Sequence, residues 1–261
     1  MFMQFISPIL AAAAALVLTV APAAAEDFRD ADWSASFYQN CDAPKPSAIG
    51  WTTVGGDRKL QFTLAPGDVG GCKSDDGPRN GARNWERAEL KQRGTLSRGK
   101  RHEIRFQATF VDGFHGKEEN FFQIHGWTPQ CSSAPLLMMQ FNRGRMDVKV
   151  LQRASDPFKD NGVSRGEKGA LSDAMGGFGL IRSPRMGSLK GKPHDFRVLL
   201  DMAGKSPRIS IWMDGAALVE DKAMYMRDCS VPHVKFGLYR PGKKNRASSV
   251  LLIDDVRISS S

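Results

Sequence analysis

What most limits the folds open to this chain is a succession of short alternating apolar and polar runs, divided by Gly, Pro, Asn and Asp, with no sustained helical period. Residues 59–64, 87–92, 102–111, 120–125, 136–142, 146–152, 196–201, 209–213, 234–239 and 250–258 read as strands. Asn142-Arg-Gly-Arg145 and Met213-Asp-Gly-Ala216 read as hairpin turns, the second through an Asp-Gly pair that tolerates positive φ. Many strands, Gly- and Pro-rich turns and few helices predict an all-β chain folded as a two-sheet sandwich or jelly roll. Residues 153–193 stand apart, rich in Gly, Ser, Lys and Arg with little alternation. They are expected to form a flap over a groove, with a short helix near residues 171–175, or else a solvated insertion without a role.

Successive side chains of a strand point to opposite faces, so each run can be divided into a core face and an outer face. Arg87, Glu89 and Lys91 share one face, as do Gln123 and His125, and as do Lys235 and Tyr239. Leu90, Ile124, Phe236 and Leu238 point the other way, into a core. A sheet face carrying Arg, Gln, His and Tyr has the groups that binding and deprotonating an acidic sugar would require.

The first 20 residues are almost wholly apolar, and Ala23 and Ala25 precede the acidic pair Glu26-Asp27. This predicts a secretory signal peptide, residues 1–25, removed after Ala25, although no Lys or Arg precedes the apolar run. A membrane anchor is the less favoured reading, because the run is short for a bilayer span of about 20 residues. Residues 26–261 then form one domain in the periplasm or outside the cell, expected to act as a monomer with no membrane contact.

The chain carries 37 Lys and Arg against 28 Asp and Glu, a net charge of +9. For an exported protein such a balance favours acidic polysaccharides over nucleic acid as partners, and no basic-aromatic recognition segment argues otherwise. Four cysteines, Cys41, Cys72, Cys131 and Cys229, lack metal-finger spacing. In an oxidising compartment they suggest two disulfides, with three possible connectivities. The favoured pairing is Cys41 with Cys72 and Cys131 with Cys229.

The segments Trp85-Glu-Arg-Ala-Glu-Leu-Lys91, Phe121-Phe-Gln-Ile-His125-Gly126 and Val234-Lys-Phe-Gly-Leu-Tyr239-Arg240 together resemble the three signature strands of jelly-roll polysaccharide lyases. Their texture, including the later run Leu251-Leu-Ile-Asp-Asp-Val-Arg257, is most similar to the heparin lyase I-like group, which resembles alginate and glucuronan lyases in fold. The resemblance covers roughly residues 50–258 and implies a concanavalin-like sandwich that cleaves a uronic-acid polysaccharide by β-elimination. Arg87 and Gln123 would neutralise the uronate carboxylate, on which charge grows as the C5 proton leaves. His125 would serve as neutraliser or base and Tyr239 as acid, Tyr239 alone being able to fill both roles. Arg87 and Lys235 would favour the phenolate. Glu89, Lys91, Lys235, Arg240 and Trp127 are the expected substrate contacts.

Several readings compete residue by residue. Glu89 reads better as an ion-pair partner that orients Arg87 than as a catalyst, and Lys235 could equally bind substrate or an acid. Trp85 and Trp127 could stack on sugar or pack inside, His115 is a minor candidate for substrate contact, and His102 and His194 are expected at the surface. No cofactor is required; Asp254 and Asp255 could contribute to a calcium site, though an ion-paired role is preferred. Lys91 stands where alginate lyases usually have Arg, His233 where they have Tyr, and Pro241 where they have Gln. Lys91 keeps the charge but lacks the guanidinium fork. A non-catalytic carbohydrate-binding sandwich is the alternative. A glycoside hydrolase would use two carboxylates, and the Glu-x-Asp-x-x-Glu spacing of sandwich glucanases is missing from the chain.

Overall fold

The computed structural model describes residues 26–27, 35–77, 84–126, 128, 135–153, 163–164, 175–242 and 247–261, with backbone alone considered for 26–27, 153, 163–164 and 175–184. Residues 1–25, expected to be a signal peptide, Trp127 and Cys131 lie outside the described residues. Each run read as a strand is one. In chain order the strands are β1 Glu26–Asp27, β2 Phe37–Gln39, β3 Ile49–Val54, β4 Asp57–Leu64, β5 Trp85–Gln92, β6 Arg101–Phe110, β7 Glu119–His125 and β8 Pro135–Asn142. They continue as β9 Arg145–Arg153, β10 Val163–Ser164, β11 Met175–Arg185, β12 Pro193–Asp201, β13 Arg208–Met213, β14 Ala216–Ala223, β15 His233–Pro241 and β16 Ser249–Ser260.

Two antiparallel eight-stranded sheets result among the described residues, the first ordered β14-β13-β12-β6-β16-β4-β3 with β1 beside β16, the second β10-β11-β9-β8-β7-β15-β5-β2. Both foreseen hairpin turns are present: Arg143 and Gly144 have φ of 50° and 73°, Asp214 and Gly215 φ of 51° and 78°. Positive φ at both central residues matches the twist of the flanking strands. No α-helix occurs among the described residues.

The core lies between the sheets and is held largely by phenylalanines. Phe106 of the first sheet stacks on Phe122 of the second at 4.9 Å and on Phe196 at 5.0 Å, and meets Phe236 edge-on at 5.1 Å. Phe110 packs on Phe121 and Phe141 at 5.0 and 4.7 Å. Such pairs add about 0.5–1.5 kcal/mol each beyond their buried area.

Three expectations are corrected. The segment read as a flap contains β11, an eleven-residue strand antiparallel to β9 with register shifts near both ends. Its Gly and Ser content hid the alternation, and the helix expected near residues 171–175 is replaced at Met175 by the start of this strand; residues 171–174 lie outside the described ones. His102 and His194 are buried rather than superficial. His102 bonds through its ring nitrogens to the Ser97 carbonyl and the Ser260 hydroxyl, both at 2.7 Å. His194 bonds to Asp214 at 2.7 Å and to the Leu189 carbonyl.

The third correction concerns Arg240. Residues 236, 238 and 240 alternate toward the core, so Arg240 leaves the outer face and is fully buried, 0% exposed. It donates to Glu86 Oε2 at 2.6 Å, to Ser249 Oγ at 2.9 Å, to the Leu64 carbonyl at 3.2 Å and to Glu119 Oε1 at 3.3 Å. Leu64 and Ser249 belong to the opposite sheet, so Arg240 fastens the two layers beneath Tyr239 instead of meeting substrate.

The neighbouring strands are set by a bulge. Phe236 pairs with Phe122 and Tyr239 with Asn120, so Gly237 and Leu238 oppose Phe121 alone. Gly237 has φ of 126°, and a Cβ there would stand 2.3 Å from the Ala88 carbonyl oxygen and 2.8 Å from Glu89 Cα. Only glycine lets β15 approach β5 so closely in this conformation. Gly237→Ala is therefore expected to destabilise the protein by roughly 2–3 kcal/mol, seen in thermal denaturation as a Tm lowered by roughly 5–10 °C.

Candidate active site

The outer face of the second sheet gathers the polar residues of β5, β15 and β7 around one buried carboxylate. Glu89, 3% exposed, accepts from Arg87 Nη1 at 2.6 Å, Asn40 Nδ2 at 2.6 Å and Gln123 Nε2 at 2.8 Å, with Lys235 Nζ at 3.4 Å. Burial works against its ionisation, but the charges of Lys235 and Arg87 and the bonds from Asn40 and Arg87 prevail and hold its carboxyl below the ordinary range. Lys235 is the reverse case: burial lowers its proton affinity and Glu89 only partly restores it.

Arg87 is held more tightly than its sequence position suggests. Its Nε and Nη2 donate to the two oxygens of Asp75 at 2.7 and 2.8 Å, so with Glu89 each guanidinium nitrogen meets a carboxylate. Burial would strip its proton, yet the Asp75 bond and the charge of Glu89 raise its pKa above the usual value. The guanidinium lies over the Tyr239 ring at 3.9 Å, while Trp85 stacks on that ring at 4.8 Å and 27°. Tyr239 is thus clamped between an aromatic plane and a fixed cation.

At the other end of the row His125 faces His233, its register partner, with rings nearly parallel at 5.9 Å. Burial, then the charges of Lys235, His233, Arg87 and Lys91, push the His125 pKa well below 6.5. Burial and Lys91 bring His233 down to about 4. A neutral His233 has one N–H, and the Val231 carbonyl 3.1 Å from Nδ1 places the proton there, leaving Nε2 as an acceptor. Lys91 is the register partner of Lys235 and lies 5.8 Å from the Tyr38 ring.

Arg87, Glu89, Gln123, Lys235 and Tyr239 are therefore joined directly. His125 and Lys91 flank them, Arg240 lies on the other face, and Trp127 is outside the described residues. Sequence reasoning missed Asn40 and Asp75, which come from loops with no alternation to mark them, and Asn120, whose Nδ2 donates to the Tyr239 carbonyl at 3.3 Å. Alternation along β7 was the signal available for Asn120; the bulge at Phe121 interrupts it.

Cys41 and Cys72 are disulfide-bonded. Cys229 is also disulfide-bonded, and its expected partner Cys131 lies outside the described residues. Asp254, weighed as a calcium ligand, accepts from Lys59 Nζ at 2.6 Å. Among the described residues the only cluster with metal-ligand spacing is Cys41, Cys72 and Asp75. Its sulfurs are spent in the disulfide and its carboxylate on Arg87. No helix among the described residues is long and apolar enough to cross a membrane.

The family model described as "Polysaccharide lyase" matches residues 29–257. The endo-β-1,4-glucuronan lyase of the fungus Trichoderma reesei is similar with a TM-score of 0.60 and 14% identity, over 92% of this chain and 96% of that one. A family 7 alginate lyase bound to product is similar with a TM-score of 0.56 and 15% identity, over 81% and 83%. So is an endo-1,3-β-glucanase from Streptomyces sioyaensis, with a TM-score of 0.52 and 11% identity over 95% and 99%. At these identities the likeness establishes the fold, which hosts more than one chemistry. No curated protein matches the sequence. The family match spans almost the whole sandwich, including the strands that carry the polar row, and the chain belongs to the polysaccharide lyase family.

Proposed function

We propose that this lyase is an exported monomer that depolymerises a uronic-acid polysaccharide by β-elimination, with the outer face of β5, β15 and β7 as its active site. The observation that carries the reading is the row in which a clamped Tyr239 and a neutral His125 flank amide and ammonium donors. The segment Lys235-Phe-Gly-Leu-Tyr239-Arg240 and the run that follows in β16 support placing the chain in the heparin lyase I-like group.

The uronate carboxylate lies against Gln123 and Lys235, with the charge of Arg87 behind them and Lys91 at the rim. These groups stabilise the second negative charge that develops as the C5 proton leaves. His125 takes that proton, the freed electron pair forms the C4–C5 double bond, and the C4–O4 bond breaks. Tyr239 protonates the departing O4, so the products are one chain with a 4,5-unsaturated uronate at its new non-reducing end and a partner chain that keeps O4 on its anomeric carbon as a new reducing end. The cations that hold His125 neutral are offset by the arriving carboxylate, which strengthens the base when substrate is bound. Charge neutralisation runs through side chains and calls on no metal.

Incubation with glucuronan, alginate, heparin and heparan sulfate should raise the ultraviolet absorbance of the unsaturated product with at least one polymer. Binding without any increase would instead make the chain a lectin-like sandwich. On the cleaved polymer, Tyr239→Phe should lower kcat by about 10²–10⁴-fold, and full activity in that variant would remove Tyr239 from the chemistry.

The pH profile of kcat/KM offers a separate check, because it reports groups of the free enzyme. Protonating His125 removes the base, and its pKa lies well below 6.5, so activity should hold through neutral pH and fall only on acidification well below 6.5. Lys235 loses its charge below the ordinary 10.5, so the alkaline limb should begin before that value. An acid limb at or above the ordinary histidine value would count against His125 as base.

A further inference from the structure

We infer that the disulfide between Cys41 and Cys72 closes a positioning clasp for the active-site row, acting through Asn40 and Asp75; the inference rests on the lyase reading above. Each holds one of the row's two central ions, Asn40 the carboxylate of Glu89 and Asp75 the guanidinium of Arg87.

The disulfide joins residues 31 apart in sequence, and its two halves end beside the gripping residues. On one side Asn40 directly precedes Cys41. Its backbone N–H donates to the Glu89 carbonyl at 2.7 Å and its side-chain amide to Glu89 Oε2 at 2.6 Å. On the other side the Asp75 N–H donates to the Cys72 carbonyl at 2.7 Å, and the Asp75 carbonyl accepts from the Trp85 N–H at 2.9 Å. Asp75, 0% exposed, spends both carboxylate oxygens on Arg87.

Loop and strand are packed without slack. A Cβ on Gly70 would stand 2.4 Å from Asp75 Oδ2 and 2.7 Å from Arg87 Cβ. The Gly71 N–H donates to the Cys41 and Asp42 carbonyls at 2.8 and 3.1 Å, and those two residues hold φ of 64° and 29°. Left-handed conformations at two consecutive non-glycine residues persist only where the surroundings hold them. The cross-link supplies that constraint, since it keeps the chain ends bearing Asn40 and Asp75 together at little entropic cost.

The consequence is chemical. Arg87 carries the charge under Tyr239, and Glu89 orients Gln123 and Lys235. If Asp75 withdraws, the guanidinium can swing from the ring; if Asn40 withdraws, Glu89 loses a donor that favours its ionised form. Catalysis should then fall while the sandwich, held by its phenylalanine core, remains.

The test uses the full-length mature chain with Cys41→Ser and Cys72→Ser together. On the polymer the parent cleaves, kcat should drop about tenfold to a hundredfold with KM little changed. Solvent exchange of the Arg87 Nε–H, read by NMR, should accelerate. Asn40→Ala, a milder change that leaves the cross-link intact, should make the acid fall of kcat/KM begin at higher pH, because Glu89 then binds its proton more readily and the loss of the donors it orients adds to the loss from protonated His125. Retained kcat in the double serine variant, slow Arg87 exchange in it, or an unmoved acid limb in Asn40→Ala would each overturn the clasp. Should the double variant not fold, the Asn40→Ala profile decides. If the parent protein cleaves no polymer the lyase reading fails, and the Arg87 exchange measurement still decides whether the clasp exists.

Discussion

A buried carboxylate with donors converging on it from several strands governs the outer face of the second sheet. Glu89 cannot be buried as an anion unless its lone pairs are met, and the partners that meet them are Arg87 from its own strand, Gln123 from β7, Lys235 from β15 and Asn40 from the segment after β2. Satisfying that one charge therefore fixes the side chains of four chain segments at once. The donors are thereby oriented before any substrate arrives, which is what stabilising a developing charge requires. Removing any one donor would leave a partly compensated buried anion, so the row is both the site and a demand on the fold.

The second demand is geometric. Lys235 and Tyr239 sit four residues apart on one strand, a spacing that in a flat ribbon would separate them too widely to serve one sugar ring. The bulge at Gly237 and Leu238 bends β15 at that point, and Gly237 lets the strand press against Ala88 and Glu89. Behind the bend Arg240 ties β15 to Glu86, Glu119 and the opposite sheet. Tyr239 thus rests on a strand fixed from the core side, while Trp85 and Arg87 fix its ring on the outer face.

Period-two alternation made most of this legible before any coordinates. It places Arg87, Glu89, Gln123, His125, Lys235 and Tyr239 on outer faces, because each lies in a strand whose other face is apolar. The same rule places Arg240 inside, and grouping it with the substrate contacts gave its charge more weight than its parity. The buried His102 and His194 were missed for a related reason: their partners, Ser260 and Asp214, are remote in sequence. Asn40 and Asp75 could not be read at all. They lie in loops, where no period marks direction, and they matter only because a disulfide and two tight glycines bring those loops against β5. Strand β11 was hidden because its Gly-rich sequence lacks the side chains that make alternation visible.

The charge arrangement also explains why this sandwich performs elimination when a glucanase shares the fold. Glycoside hydrolysis needs two carboxyl groups on opposite sides of the bond, one kept protonated to act as acid. Here Glu89 of the row and Asp75 of the adjoining loop are bridged by the same guanidinium, and Lys235 and Arg87 hold Glu89 ionised. Glu89, held ionised, cannot deliver a proton at neutral pH. Elimination asks instead for cations and amides near a uronate carboxylate, a neutral base, and a hydroxyl acid with a fixed ring. A site whose acids are consumed in orienting its cations meets that list, so the ion pairs that would disable a hydrolase are what suit this face to a lyase.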